Sequence, residues 1–315
     1  MDRHNRSARF PLAHTYSIVA RDPETGDLGV AVQSHWFSTG SLVTWAAPGV
    51  GAVATQATVE VSYGPKGIER MFDGQPPQKV LADLLAADED REIRQVAMIN
   101  CRGQVAAHTG SRCIAEAGHQ VGSQYSVQAN MMLKNTVWSA MAKAFESSTG
   151  RLPDRLLAAL DAAQAEGGDI RGMQSAAMLV VTGNRTEHFW TETIADLRVE
   201  DHAHPLEELR RLWTLQQAYE SMNIGDTLLA QGKVEEAMNA YKKGVDSAPG
   251  VKELPFWQAV TLADSGRLDE ALPLFDDVFK ADPNWSLLLT RLPAAGLMKP
   301  DKQVISKILA LVKTK

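Results

Sequence analysis

Residues 15–34 have the sequence TYSIVARDPETGDLGVAVQS, which predicts two strands joined by a turn. In residues 15–20, successive side chains fall into two alternating sets, and a period of two is typical of a half-buried strand. The Asp, Pro and Gly residues that follow favour a turn, and 28–32 is a short apolar run typical of a buried strand. Residues 50–57, VGAVATQA, predict a third strand whose small side chains allow another backbone or a ligand to approach closely.

The pattern that follows groups strands between pairs of helices. Apolar residues at helical spacing predict helices at 62–72, 76–88, 134–147 and 152–166. Further strands are predicted at 93–100, 103–109, 125–132, 174–181 and 188–191. Strands grouped in this way indicate an α+β layered domain rather than alternating βαβ units.

Five segments of the first 182 residues carry a family resemblance: TYSIVARDPETGDLGVAVQS (15–34), GVGAVATQATVEVSYGPKGIE (49–69), RQVAMI (94–99), GQVAAHTGSRC (103–113) and GGDIRGMQSAAMLVV (167–181). They resemble the bacterial family called domain of unknown function 1028, which is placed in the superfamily of N-terminal-nucleophile (Ntn) hydrolases. The resemblance implies a four-layer αββα sandwich over 15–195. It also implies hydrolysis of an amide (C–N) bond, for which no cofactor is needed.

Thr15 matches the nucleophile that Ntn-hydrolases place at the head of their first strand. A hydroxyl needs a base to take its proton, and a freed α-amino group, with a pKa of about 7.7–8, can act as that base. The Asp that supports the nucleophile in proteasome-like members aligns with Ser34, and no Lys occurs between Thr15 and Lys66. Residues 1–14 precede Thr15, so that removal of Met1 alone does not free its amine.

Polar residues near the ends of the predicted strands complete the expected site. Thr15, Ser34 and Gln56 are the predicted catalytic residues: Ser34 orients the nucleophile, and Gln56 or a backbone N–H stabilises the oxyanion. In each case the structural alternative is a hydrogen bond at the end of a strand or hairpin, or an ion pair between Asp169 and Arg171. The predicted substrate contacts are Gln33, Thr55, His108, Asn130, Asp169 and Arg171.

An internal repeat marks the C-terminal part of the chain. GKVEEAMNAYKKGVDSAPG begins at Gly232 and GRLDEALPLFDDVFKADPN at Gly266, an interval of 34 residues. This period resembles the tetratricopeptide repeat and predicts an all-α domain over 196–315. The function that the repeat indicates is a groove for a protein partner, and the alternative is a stabilising or dimerising appendage.

Composition excludes several classes of function. A net charge of −6 and a pI near 5.8 argue against nucleic acid or an anionic membrane as the main partner. No apolar stretch is long enough to cross a membrane, and the flexible leader predicted at 1–14 lacks the apolar segment of a signal peptide. Cys101 and Cys113 are expected to be reduced, as in a cytoplasmic protein, and no spacing of ligands predicts a metal site.

These observations predict an Ntn-type hydrolase that cleaves an amide bond in a small substrate, followed by a repeat domain. The alternative is a catalytically inactive Ntn fold that binds a ligand or acts as a scaffold, with the repeats binding a protein partner. A third hypothesis is hydrolysis by an internal Ser or by His108 without processing. Assembly into a homo-oligomer is compatible with each of them.

Overall fold

The computed structural model describes residues 12–13, 15–188 and 191–312. The chain divides into two compact units, of which the first ends at Trp213 and the second begins at Thr214. The leader predicted at 1–14 needs a correction, because residues 12–13 form a short strand; its other residues lie outside the described part of the chain.

The first unit contains both of the sheets that the described residues form. Its elements are β1 (Leu12–Ala13), β2 (Thr15–Arg21), β3 (Leu28–Ser34), α1 (Gly40–Val43), β4 (Thr44–Ala47), β5 (Gly51–Thr58), α2 (Tyr63–Phe72), α3 (Pro77–Ala86), β6 (Arg94–Asn100), β7 (Val105–Thr109), β8 (Gly118–Gly122), β9 (Tyr125–Ala129), α4 (Val137–Ser147), α5 (Leu152–Ala165), β10 (Ser175–Val181) and β11 (Thr193–Val199). A five-stranded sheet has the order β1-β5-β6-β7, with β4 also paired to β5. A six-stranded sheet has the order β11-β10-β3-β2-β9-β8, and both sheets are antiparallel. The first unit is therefore a mixed domain of antiparallel sheets and helices.

The core of the first unit consists of three hydrophobic clusters. One packs α4 and α5 on the six-stranded sheet, a second packs α2 and α3 on the five-stranded sheet, and the third joins residues of both sheets. Strand β2 contributes to two of these layers because its side chains alternate between faces. Tyr16 and Ile18 belong to the helix-covered cluster, and Val19 belongs to the cluster between the sheets.

The partner of β10 differs from the predicted strand at 188–191. Residues 189–190 lie outside the described part of the chain, and β10 pairs with β11 over Ala176↔Val199 to Val181↔Thr193. The sequence assigns the end of β11 to a polar bridge because the strand carries Asp196 and Arg198. Both are exposed and form an ion pair of 3.5 Å. Charged side chains are usual on an edge strand, where they discourage further pairing.

The first unit extends beyond the predicted boundary at residue 195. Strand β11 completes the six-stranded sheet, and the helix that follows, α6 (Pro205–Ala230), begins within the same core. Leu206, Leu209 and Trp213 of α6 are buried in the cluster formed by α4 and α5. The indole Nε1 of Trp213 donates to Asp154 Oδ1 at 2.7 Å. The start of α6 therefore packs as part of the sheet domain.

Only helices occur among the described residues of the second unit. After α6 come α7 (Val234–Ser247), α8 (Glu253–Asp264), α9 (Leu268–Ala281), α10 (Asn284–Arg291) and α11 (Lys302–Leu309). The repeated positions are fully or almost fully buried in one cluster, which also includes residues of α10 and α11. They are Ala237, Ala271, Tyr241 and Phe275.

Close helix packing in the second unit depends on two glycines. A Cβ at Gly225 would lie 2.4 Å from the Tyr241 ring, and one at Gly244 would lie 2.8 Å from the backbone oxygen of Ala218. Contacts this short do not occur for real Cβ atoms, so these positions require the absence of a side chain. Small residues thus set the distance between α6 and α7.

We expect Gly244→Ala to destabilise the second unit by about 1–3 kcal/mol, because the new methyl group meets backbone that cannot rotate away. Urea denaturation followed by circular dichroism would measure the change. Gly250→Ala is the matched control, since a Cβ there meets nothing within 4 Å. Equal stability of the two variants would contradict the packing argument.

A buried ion pair joins the turn after α3 to the five-stranded sheet. The Arg94 side chain is 2 % exposed and donates from Nε to Asp88 Oδ2 at 2.9 Å and from Nη1 to Thr58 O at 2.8 Å. Tyr63 also donates its hydroxyl to Asp88 Oδ2, at 3.1 Å. Burial acts to raise the pKa of Asp88, but the hydrogen bonds from Arg94 and from the backbone of Asp90 outweigh it, and the pKa is lowered. Asp88 is therefore ionised near neutral pH.

Arg94→Met is expected to lower the free energy of unfolding by about 2–3 kcal/mol near neutral pH, because the Asp88 carboxylate loses its cation while still largely buried. The pKa of Asp88 is lowered by folding, so this contribution is present above the ordinary Asp pKa of about 3.9 and is lost as the pH falls through the folded-state value. Urea denaturation at several pH values should show the difference from wild type narrowing below about pH 4.

Arg102→Met is the control for this prediction, because Arg102 is exposed. Its effect should stay within about 0.5 kcal/mol. A difference for Arg94→Met that stays constant down to pH 3 would contradict the role given to Asp88.

Candidate functional site

Thr15 lies at the start of β2, on the face of the six-stranded sheet that meets the other sheet. Its backbone oxygen accepts hydrogen bonds from Asn130 N at 3.0 Å and from Gln56 Nε2 at 3.2 Å. Ser34 is its cross-strand partner on β3. All four residues are fully buried. The structure therefore brings together Thr15, Ser34, Gln56 and Asn130 from the predicted site.

A network of buried amides and hydroxyls surrounds the Thr15 main chain. Ser17 and Gln128 are cross-strand partners in one sheet, and Gln56 and Gln95 are partners in the other. Ser17 Oγ donates to Gln56 Oε1 at 2.5 Å, and Gln128 Nε2 donates to Ser17 Oγ at 2.6 Å. Gln95 Oε1 accepts from Gln56 Nε2 at 2.7 Å and from Asn130 Nδ2 at 2.8 Å. The network thus links the two sheets.

Gln56 acts in this arrangement on the Thr15 backbone. Its amide nitrogen carries two hydrogens, and it donates to Gln95 Oε1, to Thr15 O and, at 3.4 Å, to Gln128 O. A contact with an oxyanion would have to replace one of these bonds. The geometry therefore assigns Gln56 to positioning Thr15, while its predicted role towards the oxyanion stays a prediction.

The sequence analysis missed Ser17, Gln95 and Gln128 as members of the site. Each is a polar residue at an inward position of a buried strand, in TYSIVAR, RQVAMIN and YSVQA. A buried primary amide requires hydrogen-bond partners, so a Gln in such a run was a usable signal. None of the three side chains is ionisable.

A buried ion pair lies beside the end of β3. Arg171 donates from Nη2 to Asp169 Oδ2 at 2.7 Å and from Nε to Asp169 Oδ1 at 3.0 Å, and the Asp169 side chain has no exposed surface. Asp169 Oδ2 also accepts from the backbone N–H of His35 at 3.4 Å. Because His35 follows Ser34, this pair fixes the loop next to the Thr15 cluster. The arrangement matches the structural alternative given above for Asp169 and Arg171.

Three predicted contacts point away from Thr15, because neighbouring residues in a strand face opposite sides of the sheet. Gln33 pairs with Tyr16, on the face covered by helices, and its amide has no hydrogen-bond partner within the described residues. Thr55 donates to Glu60 O at 3.1 Å. His108 contacts Arg91 O through Nε2 at 2.9 Å.

Two further features bear on the chemistry of the chain. Cys101 and Cys113 are free thiols, and burial raises the pKa of Cys113 to about 11. Among the described residues, no three His, Cys, Asp or Glu side chains converge on a point that could hold a metal ion. Within the same part of the chain, no helix is long and apolar enough to cross a membrane.

Comparisons with known proteins agree with the division of the chain. The model of the family described as "Family of unknown function (DUF1028)" matches residues 15–209, and a tetratricopeptide repeat model matches residues 228–292. No curated protein matches the chain. Protein SPO2555 from Silicibacter pomeroyi, whose crystal structure is described as a DUF1028 protein, is 32 % identical to it. The match covers 64 % of this chain and 88 % of SPO2555, with a TM-score of 0.57.

The family match extends over more than half of the chain, and the tetratricopeptide match falls on the helices of the second unit. The chain belongs to the DUF1028 family and continues into a tetratricopeptide repeat region.

Proposed function

We propose that the first unit is an amide hydrolase of the N-terminal-nucleophile type and that Thr15 is its nucleophile. The observation that carries this proposal is the position of Thr15 at the head of a central strand, with its main chain held by Gln56 and Asn130 between two sheets. A nucleophile must be held in a fixed geometry to react efficiently. The amide network provides that rigidity.

The proposal includes a four-layer αββα sandwich of the Ntn-hydrolase type. Its support is the set of hydrophobic clusters, which place α2 and α3 on one sheet, α4 and α5 on the other, and apolar side chains between the sheets. Thr15 lies in the layer between the sheets. Thr15 and Ser17 share a face of β2, and Ser17 bonds Gln56 of the facing sheet.

The proposed reaction begins when cleavage of the bond between His14 and Thr15 frees the Thr15 amine. That amine takes the hydroxyl proton as Thr15 Oγ1 attacks the amide carbonyl of the substrate. The tetrahedral intermediate then expels the substrate amine, which takes up the transferred proton as it leaves. The acyl group remains as an ester on the Thr15 oxygen. Water hydrolyses the ester, releases the acid and restores the hydroxyl. The substrate that we propose is a small molecule with an amide bond.

A second candidate function is a catalytically inactive fold that binds a ligand or serves as a scaffold, while the repeats bind a protein partner. Two observations favour it. Thr15 has no exposed surface in the chain with its preceding residues attached, and the side chains that link the two sheets beside it, Ser17, Gln56, Gln95 and Gln128, are neutral amides and hydroxyls. The two candidates differ in whether the Thr15 amine is ever released.

Intact mass and N-terminal sequencing of the purified full-length protein test that release. We expect a chain that begins at Thr15, because the mechanism needs its amine as base. A wild-type protein that retains residues 2–14 would remove the amine from the mechanism and favour the binding function.

Activity against a panel of amides, lactams and short peptides tests the nucleophile. Thr15→Ala is expected to reduce hydrolysis on the order of a thousandfold or more, as is usual for the loss of a nucleophile. Thr55→Ala is the matched control, because this hydroxyl bonds Glu60 O and lies away from the site. Unchanged turnover by a folded Thr15→Ala protein would refute the assignment.

A further inference from the structure

The second unit contains a cavity of about 510 Å³ between α6 and α8. A volume of this size is typical of a binding site for a small ligand or for a few side chains. Its lining includes both aromatic and acidic side chains. Those that the argument uses are Tyr219, Met222, Asp226, Glu253, Trp257 and Leu297.

The two carboxylates of this groove are held by neutral donors. Tyr219 donates its hydroxyl to Glu253 Oε2 at 2.8 Å, and Trp257 Nε1 donates to Glu253 Oε1 at 3.4 Å. Tyr241 donates to Asp226 Oδ1 at 2.6 Å. The hydrogen bond to Glu253 also raises the pKa of Tyr219, so this hydroxyl remains a donor near neutral pH.

The negative charge of the groove is not neutralised by the chain itself. Neither Asp226 nor Glu253 takes part in an ion pair within the described part of the chain, and the ion pairs of the second unit join other acidic residues to Lys242, Lys252, Arg267 and Lys280. No Lys or Arg is among the described residues that line the cavity. Two carboxylates are therefore available to a cation that enters from outside.

The remaining walls suit an apolar side chain beside that cation. Met222 is almost fully buried at the base of the groove, whereas Leu297 is 56 % exposed at its rim and Tyr219 is 37 % exposed. The rings of Tyr219 and Trp257 border the same space as Glu253. Aromatic faces attract Lys and, more often, Arg, and guanidinium groups also pair with carboxylates.

We propose that this groove binds a protein partner through an arginine or lysine side chain that lies next to an apolar residue of the partner. The inference rests on the binding of a protein partner by the repeats, which the second candidate function above includes. It narrows that function to a cationic, partly apolar segment, because the groove combines uncompensated carboxylates with aromatic and aliphatic walls. An acidic segment would meet repulsion from Asp226 and Glu253.

Fluorescence anisotropy with the full-length chain tests the chemistry of the partner. The probe is a short labelled peptide with arginine between leucines, and its two matched peptides carry glutamine or glutamate in place of arginine. The arginine peptide is expected to bind at least about tenfold more tightly than either, with an affinity that falls as salt is raised. Equal binding of the glutamine or glutamate peptide would leave partner binding intact but overturn the cationic inference. If none of the three peptides binds, the result counts against partner binding by the repeats and against the preference for a cationic segment.

Two charge-neutralising variants locate the site. Glu253→Gln and Asp226→Asn keep an oxygen that accepts from the tyrosine hydroxyls, so the fold should persist. Each variant is expected to bind the arginine peptide about threefold to tenfold more weakly than wild type. Glu236→Gln is the control, because Glu236 is exposed on α7 and does not line the groove. If all three variants bind the peptide like wild type, the binding surface lies elsewhere and the proposal fails.

Discussion

The buried amide network between the two sheets is the constraint on which the first unit depends. A primary amide without partners in the interior costs about 1–3 kcal/mol per unsatisfied group, so Gln56, Gln95 and Gln128 require particular neighbours. Their partners lie on different strands of both sheets. A shift of one residue in a strand would turn its polar side chain to the helix-covered face. The network therefore fixes strand register and the relation of the sheets at once.

The same network bears on the base in the mechanism proposed for Thr15. A Lys and Asp placed in this layer would be charges withdrawn from water, at a cost of several kcal/mol each unless well paired. Neutral amides avoid that cost and still hold the Thr15 backbone, but they cannot accept a proton at neutral pH. The amides of the network therefore hold the Thr15 backbone in place but do not act as a base. In the proposed mechanism the base is the amine of Thr15 itself, once cleavage has freed it.

Periodicity and turn residues predicted the strands β2, β3 and β5 and all four long helices of the first unit, because local alternation reports local structure. The same alternation also indicates which polar residues of a strand face the same side of the sheet. Gln33 adjoins Ser34 and Thr55 adjoins Gln56, so only one residue of each pair could face Thr15. By contrast, the bond between Ser17 and Gln128 joins residues 111 positions apart. Such a contact follows from sheet pairing across the whole domain, which no local pattern contains.

The polar groups discussed above differ between the two units. In the amide network of the first unit, buried donors and acceptors bond to one another, and Ser17, Gln56, Gln95 and Gln128 carry no charge. In the second, tyrosine hydroxyls orient Asp226 and Glu253 without neutralising them. Oriented charge in a groove contributes little to folding, since a salt bridge or an apolar contact would serve stability as well. A local arrangement that gives up stability is the usual mark of a binding surface, and here the sign of the charge specifies what the surface can bind.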